Sequence, residues 1–222
     1  MPAEDLNDWW RGFQAGLDEG SDSYDAAREL RRRIGGLDVD ERQEFLLAAL
    51  DVLLVQRHAY GVIFFLLEGI SDPSFLTEIA SRLEPLPSLQ SDDEESHLAD
   101  LIRVLAAAGD AELMAPVETY LIERPIGPHW ASVPWAIWPR RPKLFGSAWV
   151  RFFVEHDPAD WRHTLVIKSF LAEPEAILAI RVPLEHESAG AWEALREALL
   201  RQAGSPSWLS EGQRDALDRA VK

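Results

Sequence analysis

From Leu6 to Leu121 apolar residues return at intervals of three and four, and most of the runs reopen at a residue that caps helices. That period requires helices with a buried face. Leu6, Trp9, Trp10, Phe13 and Leu17 predict a first helix with an aromatic face, and Ser23 opens a second through Tyr24, Ala27, Leu30 and Ile34 that stops at Gly35-Gly36. Asp38 and Glu41 have capping-box spacing ahead of Leu46, Ala49, Leu50, Leu53 and Leu54. Ala59, Val62, Ile63, Leu66, Leu67 and Ile70 then keep the period while Tyr60, Phe64 and Phe65 fill the other faces, so this segment reads as the core helix. Asp72-Pro73 starts the next one, Ser91 with Glu94 starts another, and Asp110 caps a last segment in which Pro116 should kink the helix or delay its start.

The series is broken by Pro125 to Gly146, which carries five prolines and three tryptophans. From Pro125 to Val154 there is no Asp or Glu, although the chain has 38, while Arg140, Arg141, Lys143 and Arg151 fall in the same window. We read it as a long basic connection between an acidic helical block, residues 1–124, and a C-terminal helical block, residues 147–222, the two blocks forming one continuous body. Long ordered loops are commonly functional or pack as structural plugs. Trp130, Trp135 and Trp138 beside Arg140 and Arg141 are the residue mixture of binding hot spots, yet tryptophans also fill gaps between helical blocks.

After the connection, Ala148, Phe152 and Phe153 predict a short helix, and Asp157-Pro158 repeats the cap-then-proline pattern. Residues 163–184 are rich in β-favourable types around Glu173-Pro174, which leaves a short hairpin there as the alternative to helix. Trp192, Leu195 and Leu199, then Ser205-Pro206 ahead of Leu209, Ala216, Leu217 and Ala220, return to helix. The fold class expected is all-α.

Two stretches superpose at an offset of 38: Leu66-Leu67, Asp72-Pro73, Phe75-Leu76, Ile79 and Leu83 match Val104-Leu105, Asp110-Ala111, Leu113-Met114, Val117 and Leu121 in character. Helix–turn–helix units with an acidic cap in the turn, at a period near 40, resemble HEAT-type helical repeats over residues 22–124, with Asp38 ahead of Leu46 as a looser third copy. Arg82 stands where that family often has a base. The resemblance implies an irregular α-solenoid of stacked helical hairpins whose usual work is to hold another macromolecule.

Charge divides the chain more sharply than hydropathy does. Residues 1–124 hold 26 acids and 10 bases, whereas residues 125–222 hold 12 of each, so the net charge of −16 lies wholly in the first part. Such a field repels nucleic-acid phosphates and attracts a basic protein. Within it Asp92, Asp93, Glu94 and Glu95 form the densest run, in a first helical turn where they also complement the macrodipole. The longest apolar run, Ala59 to Leu67, is half a bilayer span, and the N-terminus has no signal-peptide pattern. With no cysteine the expected location is cytoplasmic, and 19 arginines against 3 lysines point to GC-rich coding and a bacterial source.

Chemistry-bearing motifs are missing from the sequence. No pair of histidines has zinc-site spacing, no glycine-rich phosphate loop or G-x-S-x-G occurs, and no metal or organic cofactor is expected. Asp160 and His163, with His156 or Glu155 nearby, are the one arrangement that could share a ligand. The reading favoured is a protein-binding scaffold rather than an enzyme, of an immunity or antitoxin kind that covers a basic toxin. An enzyme with its site between the Trp/Pro-rich loop and the helix starting at Asp157, and a structural subunit of a larger assembly, are the competing readings.

Overall fold

A computed structural model describes residues 8, 10–13, 15, 23–53, 62–67, 70, 72–84, 86, 88–89, 91–109, 111–127, 129–158, 165–204 and 209–222. Twelve helices lie among them and no strand. The chain divides into two compact units, residues 1–120 with 127–136 and residues 121–126 with 137–222. Residues 127–136 of the Trp/Pro-rich stretch thus belong to the first unit and the rest of it, apart from its first two positions, also in the second, lies from 137 onward.

The first unit is built on α1 (Ser23–Ile34), α2 (Val39–Leu53), α3 (Val62–Leu67), α4 (Pro73–Arg82), α5 (Asp92–Ala108) and α6 (Met114–Ile122), whose last two residues belong to the second unit. α3 packs chiefly on α1 and on α5, so helices two apart in the chain lie together. Ahead of them, the helical residues at 10–13 bring Trp10 and Phe13 into a stack at 5.3 Å, with Phe45 of α2 edge-on to Trp10 at 5.7 Å. Of the expected caps, Asp38, Asp72 and Ser91 form, whereas Ser23 is the first residue of α1 rather than the cap ahead of it. Asp72 accepts from the backbone N–H of Ser74 (2.9 Å) and Phe75 (3.0 Å), with Pro73 in the first turn, and the Ser74 hydroxyl beside it lowers its carboxyl below the ordinary range. Ser91 accepts from the Glu94 N–H at 3.3 Å, and α5 stops at Gly109 with φ 73°, a left-handed conformation that glycine adopts at no steric cost. Arg82 links α4 to α2 through Asp51 (3.5 Å) and also meets Glu78 (3.3 Å).

Pro116 delays a helix rather than kinking one: α6 begins at Met114, so the proline sits in a first turn whose N–H groups have no intrahelical acceptor. The same physics corrects the expectation of a 22-residue loop. Pro134 and Pro142 occupy first turns of α7 (Ser132–Ile137) and α8 (Pro142–Glu155), and only turns remain between them, around a cis Trp138–Pro139 bond. Prolines that look like breakers in the sequence are here helix starters.

The second unit is formed by α8 with α9 (Leu165–Ala172), α10 (Glu175–Glu187), α11 (Ala189–Ala203) and α12 (Glu211–Val221). The hairpin alternative at 163–184 is overturned: the described part is two helices with Pro174 between them. Val166, Ile167, Phe170 and Leu171 recur at helical spacing and are all buried, and that packing outweighs their β preference. α8 packs most extensively on α10, and α9 packs on α11, again helices two apart. The core is aromatic: Trp149 meets Phe170 at 5.1 Å, Phe152 at 5.2 Å and Phe153 at 5.7 Å. Side chains close the helix ends. Arg181 donates to the Ala220 carbonyl (3.1 Å), Arg196 to Val221 (3.0 Å), Arg151 to Leu121 (3.0 Å) and Gln213 to Ala172 (3.0 Å), satisfying carbonyls that the last turn leaves open. α12 itself starts at a capping box of Ser210 and Gln213, while the Ser205-Pro206 cap lies outside the described residues.

Candidate protein-binding surfaces

The acidic run at the start of α5 is not one uniform surface. Asp92 is exposed, Asp93 sits in the first turn, and Glu94 and Glu95 are half-buried. Glu95 lies against the Trp/Pro-rich stretch: a Cβ built on Gly127 would overlap its carboxylate, so glycine is what lets the two segments meet. Directly after it on α5, Ser96, His97 and Asp100 are buried, and Arg103 pairs with Asp100 at 3.2 Å. The polar face of this helix is therefore turned into its unit, which periodicity of apolar residues alone does not reveal.

Trp130 is 0% exposed and belongs to the core of the first unit, so it is a plug and no partner can touch it. Trp135, in the same unit, and Trp138, in the second, are half-buried, and Trp138 tilts against Phe145 at 4.8 Å. Arg140 is exposed, and Arg141 is half-buried at the N-cap of α8. The sequence candidates thus separate into a buried anchor (Trp130), a seam (Glu95 at Gly127) and exposed charges (Asp92, Arg140).

A further acidic face stands on α2. Asp40, Glu41, Glu44 and Asp51 are all exposed, and Asp40, Glu44 and Asp51 fall on one stripe at spacings of four and seven. Asp38 precedes them as a cap, accepting from the Glu41 N–H at 2.9 Å. Only Asp51 of these four pairs with a base, Arg82, among the described ion pairs. In the sequence this face is marked only by acids three, four and seven apart, a sparser pattern than the run at 92–95.

For the catalytic alternative, His156 ends α8 half-buried and stacked on Phe152 at 4.8 Å, and Asp157 is exposed. Asp160 and His163 lie outside the described residues. Among the described residues no group of three or more His, Asp or Glu side chains could hold a metal ion, and no helix is long and apolar enough to cross a membrane. No family model, no curated protein and no solved structure matches the chain.

Proposed function

We propose that this protein works by binding a basic protein on its acidic unit, as an immunity or antitoxin-like scaffold covering a basic toxin would. The observation that carries this is the coincidence of two independent divisions. The first compact unit holds 25 acids and 9 bases, a net charge of −16, and the second holds 13 of each. A charge needed only for solubility has no reason to stop at a structural boundary. The packing of helices two apart in both units supports a stack of helical hairpins, the architecture of solenoids that hold other macromolecules.

The test is capture from a lysate of the source cells at low salt, with identification by mass spectrometry, followed by association kinetics with the protein captured. The expected partner is basic. Its on-rate exceeds the roughly 10⁵–10⁶ M⁻¹s⁻¹ of unsteered pairs at low salt and falls steeply toward physiological salt, where charges beyond about 8 Å are screened. An on-rate indifferent to salt, or capture of no basic protein, sinks the reading.

A further inference from the structure

α8 and α10 run side by side in one direction. At one end Gly146 abuts the Ala179 carbonyl, and toward the other the helices border an open cleft of about 640 Å³. Val150, Val154, Val182 and Pro183 supply its apolar lining, and Glu155, His186 and Glu187 stand at its far end. Pro183 lies inside α10, where its missing N–H removes a helix hydrogen bond. The cleft exposes aliphatic surface that no described element of this unit covers: Val154 is 45% exposed and Val182 69%, with Leu178 one turn before it at 56%. Of the large apolar side chains exposed among the described residues, only Val39 belongs to the acidic unit.

Charge selects what fits there. α8 ends at Glu155 and α10 at Glu187, so two helix C-termini, each the negative end of its dipole, lie at the same end of the cleft. A carboxylate in a last turn opposes the dipole, so the dipole accounts for neither glutamate, and only Glu155 has a local partner, in Arg151 four residues earlier. The one arginine or lysine lining the cleft is already engaged: Arg151 donates to Glu155 at 2.9 Å and to the Leu121 carbonyl at 3.0 Å. Glu187 makes no ion pair among the described residues. The unit that carries the cleft has no net charge, so these two glutamates set the sign of what docks there.

We propose that this cleft docks an amphipathic helix of another protein. Aliphatic side chains spaced i, i+3 or i+4, and i+7 enter between α8 and α10, and a Lys or Arg at one end lies over Glu155 and Glu187. The lined length from Ser147 to Glu155 corresponds to about two helical turns. This contact stands on the second unit alone and is independent of the acidic-unit reading.

The test uses three fluorescent helical peptides of about 16 residues, long enough to hold helix in water. One has a leucine stripe and lysines at one end, the second has glutamates in place of the lysines, and the third keeps the lysines but has serines in place of the leucines. The first should bind the full chain best. Val154→Gln with Val182→Gln should weaken it about tenfold or more, while Leu165→Gln, at an exposed leucine outside the cleft, leaves it unchanged. Glu155→Gln with Glu187→Gln should erase the preference for lysine over glutamate ends. The proposal is overturned if the leucine and serine peptides bind alike, since attraction to the acidic unit then explains everything. It also fails if the valine variants bind as tightly as the parent, or if the parent sediments as a dimer that the valine variants dissolve. Because both valines are exposed, unchanged melting of the variants separates loss of contact from loss of fold.

Discussion

A Cβ on Gly146 would lie 2.6 Å from the carbonyl oxygen of Ala179, so α8 and α10 touch backbone to backbone at this point. The oxygen is one that Pro183, four residues on, cannot serve, because proline has no N–H. Without a Cβ, Gly146 lets the two backbones approach to a range at which any other residue would clash. Gly146→Ala must move backbone, and overpacking of this kind costs about 1–3 kcal/mol. In a chain of this size that lowers Tm by about 2–4 °C for each kcal/mol. Gly190→Ala, with nothing within 4 Å in α11, should not lower it, and calorimetry of the two variants side by side checks the difference.

Gly127 presents the opposite kind of obstacle. What a methyl group would strike there is the end of the Glu95 side chain rather than backbone. Gly127→Ala should therefore cost less than Gly146→Ala, at the low end of about 1–3 kcal/mol, by displacing the carboxylate. Adding Glu95→Ala to it should recover part of the loss. Denaturant midpoints of the two single variants and the double variant measure this coupling, and strict additivity would show that the two residues do not meet.

Trp130 and Arg140 were candidates for one contact surface and should behave as opposites. Trp130→Ala empties a fully buried site and should cost about 3–5 kcal/mol. Arg140→Ala, at an exposed position, should stay within about 0.5 kcal/mol. Equal, small effects on urea unfolding would return Trp130 to the surface.

The helical class was legible because periodicity and caps depend on neighbours in sequence: Asp72, Ser91 and Gly109 each act within a few residues of themselves. What was not legible depends on distant packing. Pro134 and Pro142 read as breakers until their positions in first turns are known. The β-favourable run at Val166 and Ile167 becomes helix because Phe170, two residues before the turn, packs into an aromatic core supplied by α8. Of the site, the acidity of the first unit was legible as arithmetic. That Glu95 is held at Gly127 while Asp40 and Glu44 stand free in solvent follows only from which face of each helix is covered.

Acid titration offers a fourth test. Glu29 accepts from Arg32 at 2.8 and 2.7 Å and from Arg33 at 2.8 Å, and these hydrogen bonds, those of Arg32 foremost, hold its carboxyl down to about 2 from an ordinary value of 4.5. A folded-state pKa below the unfolded one means that the group's stabilisation is fully present above about 4.5 and is lost as pH falls through about 2. Glu29→Gln should therefore lower Tm by a constant amount near neutral pH, and the gap to the parent should close across that window. A gap independent of pH would mean that the carboxylate's charge contributes nothing to the fold.

The last prediction separates the two acidic faces. Asp40, Glu41 and Glu44 are exposed on α2, whereas the run at 92–95 includes a glutamate held against Gly127. If steering by the acidic unit drives association with a basic protein, Asp40→Asn, Glu41→Gln and Glu44→Gln together should slow the on-rate several-fold at low salt, since whole-surface steering is worth about 10–10³ in rate. The cost to the fold should be only some tenths of a kcal/mol per residue, because Asp40 and Glu41 sit in the first turn of α2 and complement its dipole. Neutralising Asp92, Asp93, Glu94 and Glu95 should also slow association, but it removes the Glu95 contact at Gly127 and should lower the melting temperature visibly more. Dissociation, governed by packed contacts, should change less than association for the α2 variant. An on-rate unchanged by the α2 substitutions, with a slope against salt equal to the parent's, would show that this face is only a solvated helix surface.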